Sequence, residues 1–282
     1  PQAELRYRPF VFLLHGHPFV PIVVASLLGI GAFSLIALPL LLWLVGYYFK
    51  RSHFYEPAKA ALLKLQARWS SLYVVAGFVL SAAMLYAFLS VAWNTFFKAS
   101  TALFDDAFIW LVRYYANPAL DKFMLFITDI GFGKGYAIIV GFTFTVLAYK
   151  KRWQDISVLG ICLAGAGLLS VILKNSFHRL RPDSFFLVQE TSYSFPSGHA
   201  LATMCFYGML AFFLMREVKS WPVRLLIATL TIILSLIIGI SRIYLGVHYP
   251  TDVVAGYAVG FMWLTFCISL LLRQEKKQQN NS

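Results

Sequence analysis

Acidic residues are scarce in this sequence. Asp and Glu number 12 in 282 residues, and all charged types together make up 13%, about half the share of an ordinary soluble domain. The rest is rich in apolar side chains, with 60% hydrophobic and 17% aromatic residues. That composition excludes a disordered chain and argues against a soluble globular domain. The net charge is +12, yet no soluble module carries a basic face, so no nucleic-acid partner is expected. Cysteine is scarce too. Cys162, Cys205 and Cys267 each lie in an apolar run without a partner at metal-ligand or CxxC spacing. They read as small buried hydrophobes and give no sign of the redox compartment. No secretory leader pattern is read at the start, and the chain opens on Pro1, which leaves room for a preceding segment.

What is present is a set of apolar spans, at 20–48, 72–97, 133–149, 155–173, 199–215, 225–240 and 253–272. Each is near the ~20 residues that cross a bilayer. The first is longer, since apolar character begins near Pro9 and is interrupted by His15, His17, Pro18 and Pro21. A single tilted helix with an interfacial lead-in is favoured there over a hairpin. The predicted organisation is an N-terminal membrane segment over 1–50, compatible with the tail of a preceding domain, then a cytoplasmic linker over 51–71. A catalytic membrane domain over 72–273 and a disordered polar tail over 274–282 follow.

The loops alternate in charge. Segments 50–71, 150–154, 216–224 and 273–282 hold 14 Lys and Arg, against 8 at the opposite span ends. The richer side is expected in the cytoplasm, which turns 98–132, 174–198 and 241–252 outward. Phe104–Tyr115, with Asp105, Asp106 and five aromatics, reads as an outer interfacial helix or as the start of the next span.

Polar residues gather at the span ends of that outer side. Lys174 and Arg181-Pro182 are the first group; seven residues apart, the two cations share a helix face. Such cations are also common as snorkelling helix-end side chains. Pro196-Ser197-Gly198-His199 is the second: Ser197 can cap a helix, and Gly198 lets backbone N–H groups approach an anion. Ser241-Arg242, His248 and Asp252 form the third. His248 and Asp252 are i and i+4, so a carboxylate can hold the imidazole if the segment is helical, although Pro250 can start the helix after His248. Each group alone has an ordinary structural reading.

Together they offer three cations, two histidines, a carboxylate, a hydroxyl and a glycine. Phosphoryl transfer without a metal needs such a set: positive charge on the equatorial oxygens, a nucleophile, and an acid for the leaving group. A serine hydrolase fits less well, because no G-x-S-x-G elbow occurs. Zinc fits poorly as well, since His199 and His248 lack a third ligand and neighbouring cations repel a metal.

The motifs K-x6-R-P, P-S-G-H and S-R-x5-H-x3-D, in this order, resemble those of the type 2 phosphatidic acid phosphatase (PAP2) superfamily of membrane phosphatases, over roughly residues 72–272. The resemblance implies an all-α polytopic membrane helix bundle, a six-helix PAP2-like core plus an additional N-terminal membrane segment. It implies His248 as nucleophile forming a phosphohistidine, Asp252 as its orienting carboxylate, and His199 as general acid and then base. Lys174, Arg181, Ser197, Gly198 and Arg242 would bind the phosphate, with Ser241 as a backbone organiser. No metal or cofactor is implied. The expected substrate is a lipid phosphate or diphosphate in the bilayer: undecaprenyl diphosphate, phosphatidylglycerophosphate, phosphatidic acid or a lipid A phosphate. The expected location is the cytoplasmic membrane, with the site facing outward. A lipid phosphotransferase or a non-enzymatic phospholipid carrier would use the same groups; intact His199, His248 and Asp252 argue against the carrier. Oligomeric state is not legible. Asp183 and Glu190, in the short loop between motifs, read as solvated acids or contacts for a headgroup amine. His178 and Arg179 read as exposed helix-end residues or as reaching a second phosphate.

Overall fold

The computed structural model describes residues 72–281, apart from Ala99 and 183–186, together with Leu44, Tyr48, Arg51, Ser52 and 55–57. The expected N-terminal segment over 1–50 and the linker over 51–71 therefore lie almost wholly outside the described residues, as does Asp183. From Leu72 onward the described chain is helical: α1 Leu72–Phe96, α2 Ala102–Tyr114, α3 Pro118–Phe132, α4 Lys134–Tyr149, α5 Trp153–Phe177, α6 Gly198–Glu217, α7 Trp221–Tyr244 and α8 Pro250–Asn281. Among the described residues no strand occurs. Among the described residues six stretches are long and apolar enough to cross a membrane, with α3 and α4 counted as one. The fold is thus the expected all-α membrane bundle.

Three differences from the sequence reading have local causes. The segment 98–132, expected as a loop, contains α2 and α3. Asn117 caps α3, its Oδ1 accepting the N–H groups of Ala119 and Leu120, and Pro118 takes the first turn, where its missing donor does no harm. Asp121, Lys122 and Asp129 dilute the apolar signal of this helix. Secondly, α2 is a separate helix rather than the start of the next span. It buries Asp105 and Ile109 and exposes Leu103 and Phe104. Thirdly, α8 continues through 274–281, where a disordered tail was expected. Gln, Glu and Lys are good helix formers, and Arg216 anchors Glu275 at 2.5 Å.

α3 and α4 together span 32 residues, about 48 Å at 1.5 Å per residue. That exceeds the ~30 Å hydrocarbon layer, so the pair is longer than one upright crossing needs. The break falls at Gly133, whose backbone is extended. Asp129, one turn earlier, accepts the N–H groups of Lys134 at 2.9 Å and Gly135 at 2.8 Å, and so caps α4.

α6 is the most enclosed span and packs against α5, α7 and α8. It meets α8 along Gly256 and Gly260, where a Cβ would lie 2.5 Å from Ser197 O and 2.9 Å from Leu201 O. Small residues four apart let two backbones approach this closely. The N-terminal end of α6 is wedged by Phe195, fully buried among Phe88, Phe96 and Phe177. At the opposite end of the bundle, Arg152 and Arg216 tie α5, α6 and α8 through Asp155, Glu217 and Glu275. The motif residues all stand at the other end.

Candidate active site

His248 lies in the turn between α7 and α8 and is 1% exposed. Its Nδ1 is 3.4 Å from Asp252 Oδ2, and its Nε2 is 3.5 Å from Arg181 Nη1. α8 does start at Pro250, after the histidine, yet the pair still meets, because Asp252 turns back over its own helix start. There its Oδ2 also accepts the Tyr249 N–H at 2.9 Å. Burial pushes the His248 imidazole down to about 4; Asp252 opposes this, while Arg242 and Arg181 reinforce it. The ring is therefore neutral at neutral pH. With its proton on Nδ1 toward Asp252, the assignment the partners favour, Nε2 carries the lone pair and faces Arg181 Nη1 as an acceptor.

The cations converge from three elements. Lys174, in the last turn of α5, donates from Nζ to Ser192 Oγ at 2.9 Å. Arg181 is pinned by the backbone: Nε donates to Ser192 O at 2.8 Å and Nη1 to Val247 O at 2.6 Å. Arg242, in the last turn of α7, is 1% exposed. Its Nη1 donates to Thr128 Oγ1 at 2.7 Å. Its Nε is buried with no partner, a donor that a phosphoryl oxygen can satisfy.

Glu190 corrects the sequence reading. It is no solvated loop acid: its Oε1 is 2.5 Å from Arg242 Nη2 and its Oε2 3.3 Å from Arg181 Nη2. Burial alone would raise its carboxyl, but Arg242, Arg181 and His248 outweigh burial and hold it below the usual carboxylate range. The loop thus carries an anion into the cation cluster, and a phosphate entering there must share or take these donors.

Ser197 caps α6, its Oγ accepting the Ala200 N–H at 3.4 Å, and is fully buried. Ser241 donates to Ile238 O at 2.6 Å, a purely internal bond. Gly198 and His199 follow at the start of α6, the imidazole edge-on to Phe132. His178 ends α5 in a left-handed conformation and is exposed against Tyr193. Arg179 is the second correction. Its guanidinium reaches no second phosphate position, because Asp105 and Asp252 hold it at 2.8 and 2.5 Å.

A cavity of about 830 Å³ joins several of these groups, though not Arg181 or Ser197, to the bundle interior. One end is polar, with Lys174, Glu190, Ser192, Gly198, His199, Arg242 and His248. The other runs between α3–α4 and α5–α6 and is lined by Leu125, Phe132, Tyr136, Leu163, Ala166 and Val171. A charged head and an apolar body fit the two ends. Among the described residues no group of three His, Cys, Asp or Glu could hold a metal ion. Sequence reasoning had not singled out Thr128, Ser192 or Ser194, and it read Asp105 only as an acid of an interfacial helix. Each belongs to no motif, and only the fold brings it to the site.

Residues 155–276 match the PAP2 superfamily. The chain is 34% identical over 162 residues to phosphatidylglycerophosphatase B of Bacillus subtilis (strain 168), covering 56% of this chain and 78% of that one. It is 30% identical over 162 residues to an undecaprenyl-diphosphatase of Sulfolobus acidocaldarius, covering 55% and 72%. The crystal structure of a transmembrane PAP2-type phosphatidylglycerolphosphate phosphatase from Bacillus subtilis superposes with a TM-score of 0.60 at 27% identity, covering 70% of this chain and 96% of that one.

Proposed function

The chain belongs to the PAP2 superfamily and is a multi-pass membrane lipid phosphatase, and from that premise we propose that it hydrolyses a lipid phosphate or diphosphate through a phosphohistidine on His248, without a metal. The observation that carries this reading is the placement of His248 at the polar end of the cavity, with Asp252 at Nδ1 and Arg181 beside Nε2. The headgroup sits among Lys174, Arg181, Arg242 and the Gly198 N–H, and the tail follows the apolar lining. His248 Nε2 attacks phosphorus, a P–N bond forms, and the P–O bond to the lipid breaks as protonated His199 gives its proton to the leaving oxygen. Water then attacks the phosphohistidine, His199 takes its proton, the P–N bond breaks, and phosphate leaves. Asp252 balances the positive imidazole between the two steps.

The substrate class includes phosphatidylglycerophosphate, undecaprenyl diphosphate, phosphatidic acid and lipid A phosphate; the names of the two sequence relatives favour the first two. The test is phosphate release by the purified protein from these four lipids. Release from at least one is expected, undiminished by EDTA and inhibited by orthovanadate, which can adopt the five-coordinate geometry of the transferring phosphoryl group. Activity lost in EDTA and restored by Mg²⁺ or Zn²⁺ would overturn metal independence.

The site is proposed to face outward from the cytoplasmic membrane, supported by the 14 to 8 charge asymmetry. Single cysteines in a background lacking Cys162, Cys205 and Cys267 test it. A cysteine at exposed Gln189 should react with an impermeant reagent on intact cells, and one at exposed Lys219 should not. The reverse pattern would place the site in the cytoplasm.

A further inference from the structure

Asp252 is buried behind His248 and does not line the cavity. Its Oδ2 has three neighbours: Ser194 Oγ at 2.5 Å, the Tyr249 N–H at 2.9 Å and His248 Nδ1 at 3.4 Å. The histidine contact is the longest, so a small rotation of the carboxylate would lose it. The other oxygen, Oδ1, is gripped by Arg179 Nη1 at 2.5 Å. Arg179 is itself fixed as a flat fork. Nη1 also donates to Thr251 Oγ1 at 2.7 Å, Nη2 pairs with Asp105 at 2.8 Å, and the guanidinium stacks 4.0 Å above the Tyr249 ring. Asp105, fully buried on α2, closes the layer by accepting the Thr251 N–H and hydroxyl at 3.1 and 2.7 Å.

Charge gives the layer a second consequence. An arginine against Asp252 alone would cancel the negative charge that the positive imidazole needs. Asp105 balances Arg179, so Asp105, Arg179 and Asp252 together leave one net negative charge facing His248. Desolvated charges that were not paired in this way would be strongly unfavourable.

We infer that Arg179 and Asp105 are positioning residues for phosphoryl transfer: a clamp that holds Asp252 with Oδ2 toward His248 while leaving its charge available. The inference rests on the phosphatase reading above. It acts through Asp252 and touches no substrate atom.

The experiment is single-turnover lipid-product release with the full chain in excess over the best substrate of the four-lipid panel. At saturating protein the rate constant reports folded sites only, and the folded fraction is measured separately as monodisperse recovery on size exclusion. Arg179→Lys keeps the charge and loses the fork. It should lower the rate constant about 10²-fold, the scale of a misplaced catalytic group, with the folded fraction unchanged. Asp105→Asn should lower it in the same sense. In an Asp252→Asn background, Arg179→Lys should add less than about 2-fold, because residues acting through one group are not additive. A wild-type rate constant with a reduced folded fraction would mark Arg179 as merely structural and overturn the clamp. An equal factor in both backgrounds would also overturn it. No phosphate release by the wild type from any lipid would remove the phosphatase reading itself, and the clamp with it.

Discussion

His248→Ala is expected to release no measurable lipid product from any of the four lipids, a loss on the order of 10⁶-fold, the scale seen when a covalent nucleophile is deleted. The fold leaves no substitute. The imidazole is fully enclosed at the polar end of the cavity, with Nε2 beside Arg181 and Nδ1 toward Asp252. His199, the other cavity imidazole, lies on a different element, the start of α6. Binding should survive the substitution. The cations that would hold the phosphate are fixed independently: Arg181 by backbone carbonyls of Ser192 and Val247, and Arg242 by Thr128 and Glu190. The variant should therefore still bind the lipid substrate, measured with radiolabelled lipid, while turning none of it over. Appreciable product release by His248→Ala would dispose of the proposed nucleophile.

The motif residues were legible in the sequence because each motif is local. Lys174 and Arg181, His248 and Asp252, and the Pro196–His199 string each sit within eight residues, but the shared helix face expected for Lys174 and Arg181 is not formed, because α5 ends at Phe177 and Arg181 reaches the site from the loop beyond it. The spans were legible for the same reason, since twenty apolar residues in a row state their own environment. Asn117-Pro118 was a legible helix start as well. The charged residues Asp121, Lys122 and Asp129 in α3 break the apolar run that such a start ordinarily precedes.

The layer behind the site was not legible. Asp105 and Thr251 are 146 residues apart in sequence, as are Thr128 and Arg242 by 114. Their types are ordinary for a helix near a membrane surface. Glu190 and Arg179 were visible as charges, but a loop charge reads as solvated by default. Only the path of the loop between Arg181 and Phe195 decides otherwise: it folds Glu190 onto the two arginines instead of out to water. Ser194 is similar: its hydroxyl donates to Asp252 beside Phe195, which packs into the aromatic cluster.

His199→Ala should slow a lipid monophosphate much more than a diphosphate carrying the same tail. The two substrates differ in what departs. A diphosphate loses a lipid monophosphate, a fairly stable anion that needs little protonation. A monoester loses a lipid alkoxide, which is strongly basic and needs a proton in the transition state. General acid help is typically worth about 10²–10⁴-fold and is largest for the most basic leaving group. His199 stands at the first turn of α6, at the polar end of the cavity and against Phe132. The comparison has to isolate the first step, because His199 is also the proposed base for hydrolysis of the phosphohistidine. Single-turnover release of lipid product by wild type and His199→Ala on the matched pair does so. Expressed as ratios, the monoester should lose about 10²–10⁴-fold and the diphosphate at least tenfold less. Equal losses on both would remove the acid role and leave His199 as a ligand of the phosphoryl group. The same ratio also bears on substrate class. An enzyme that keeps most of its diphosphate activity without His199 while losing its monoester activity has a site in which His248 and the surrounding cations suffice whenever the leaving group is already an anion.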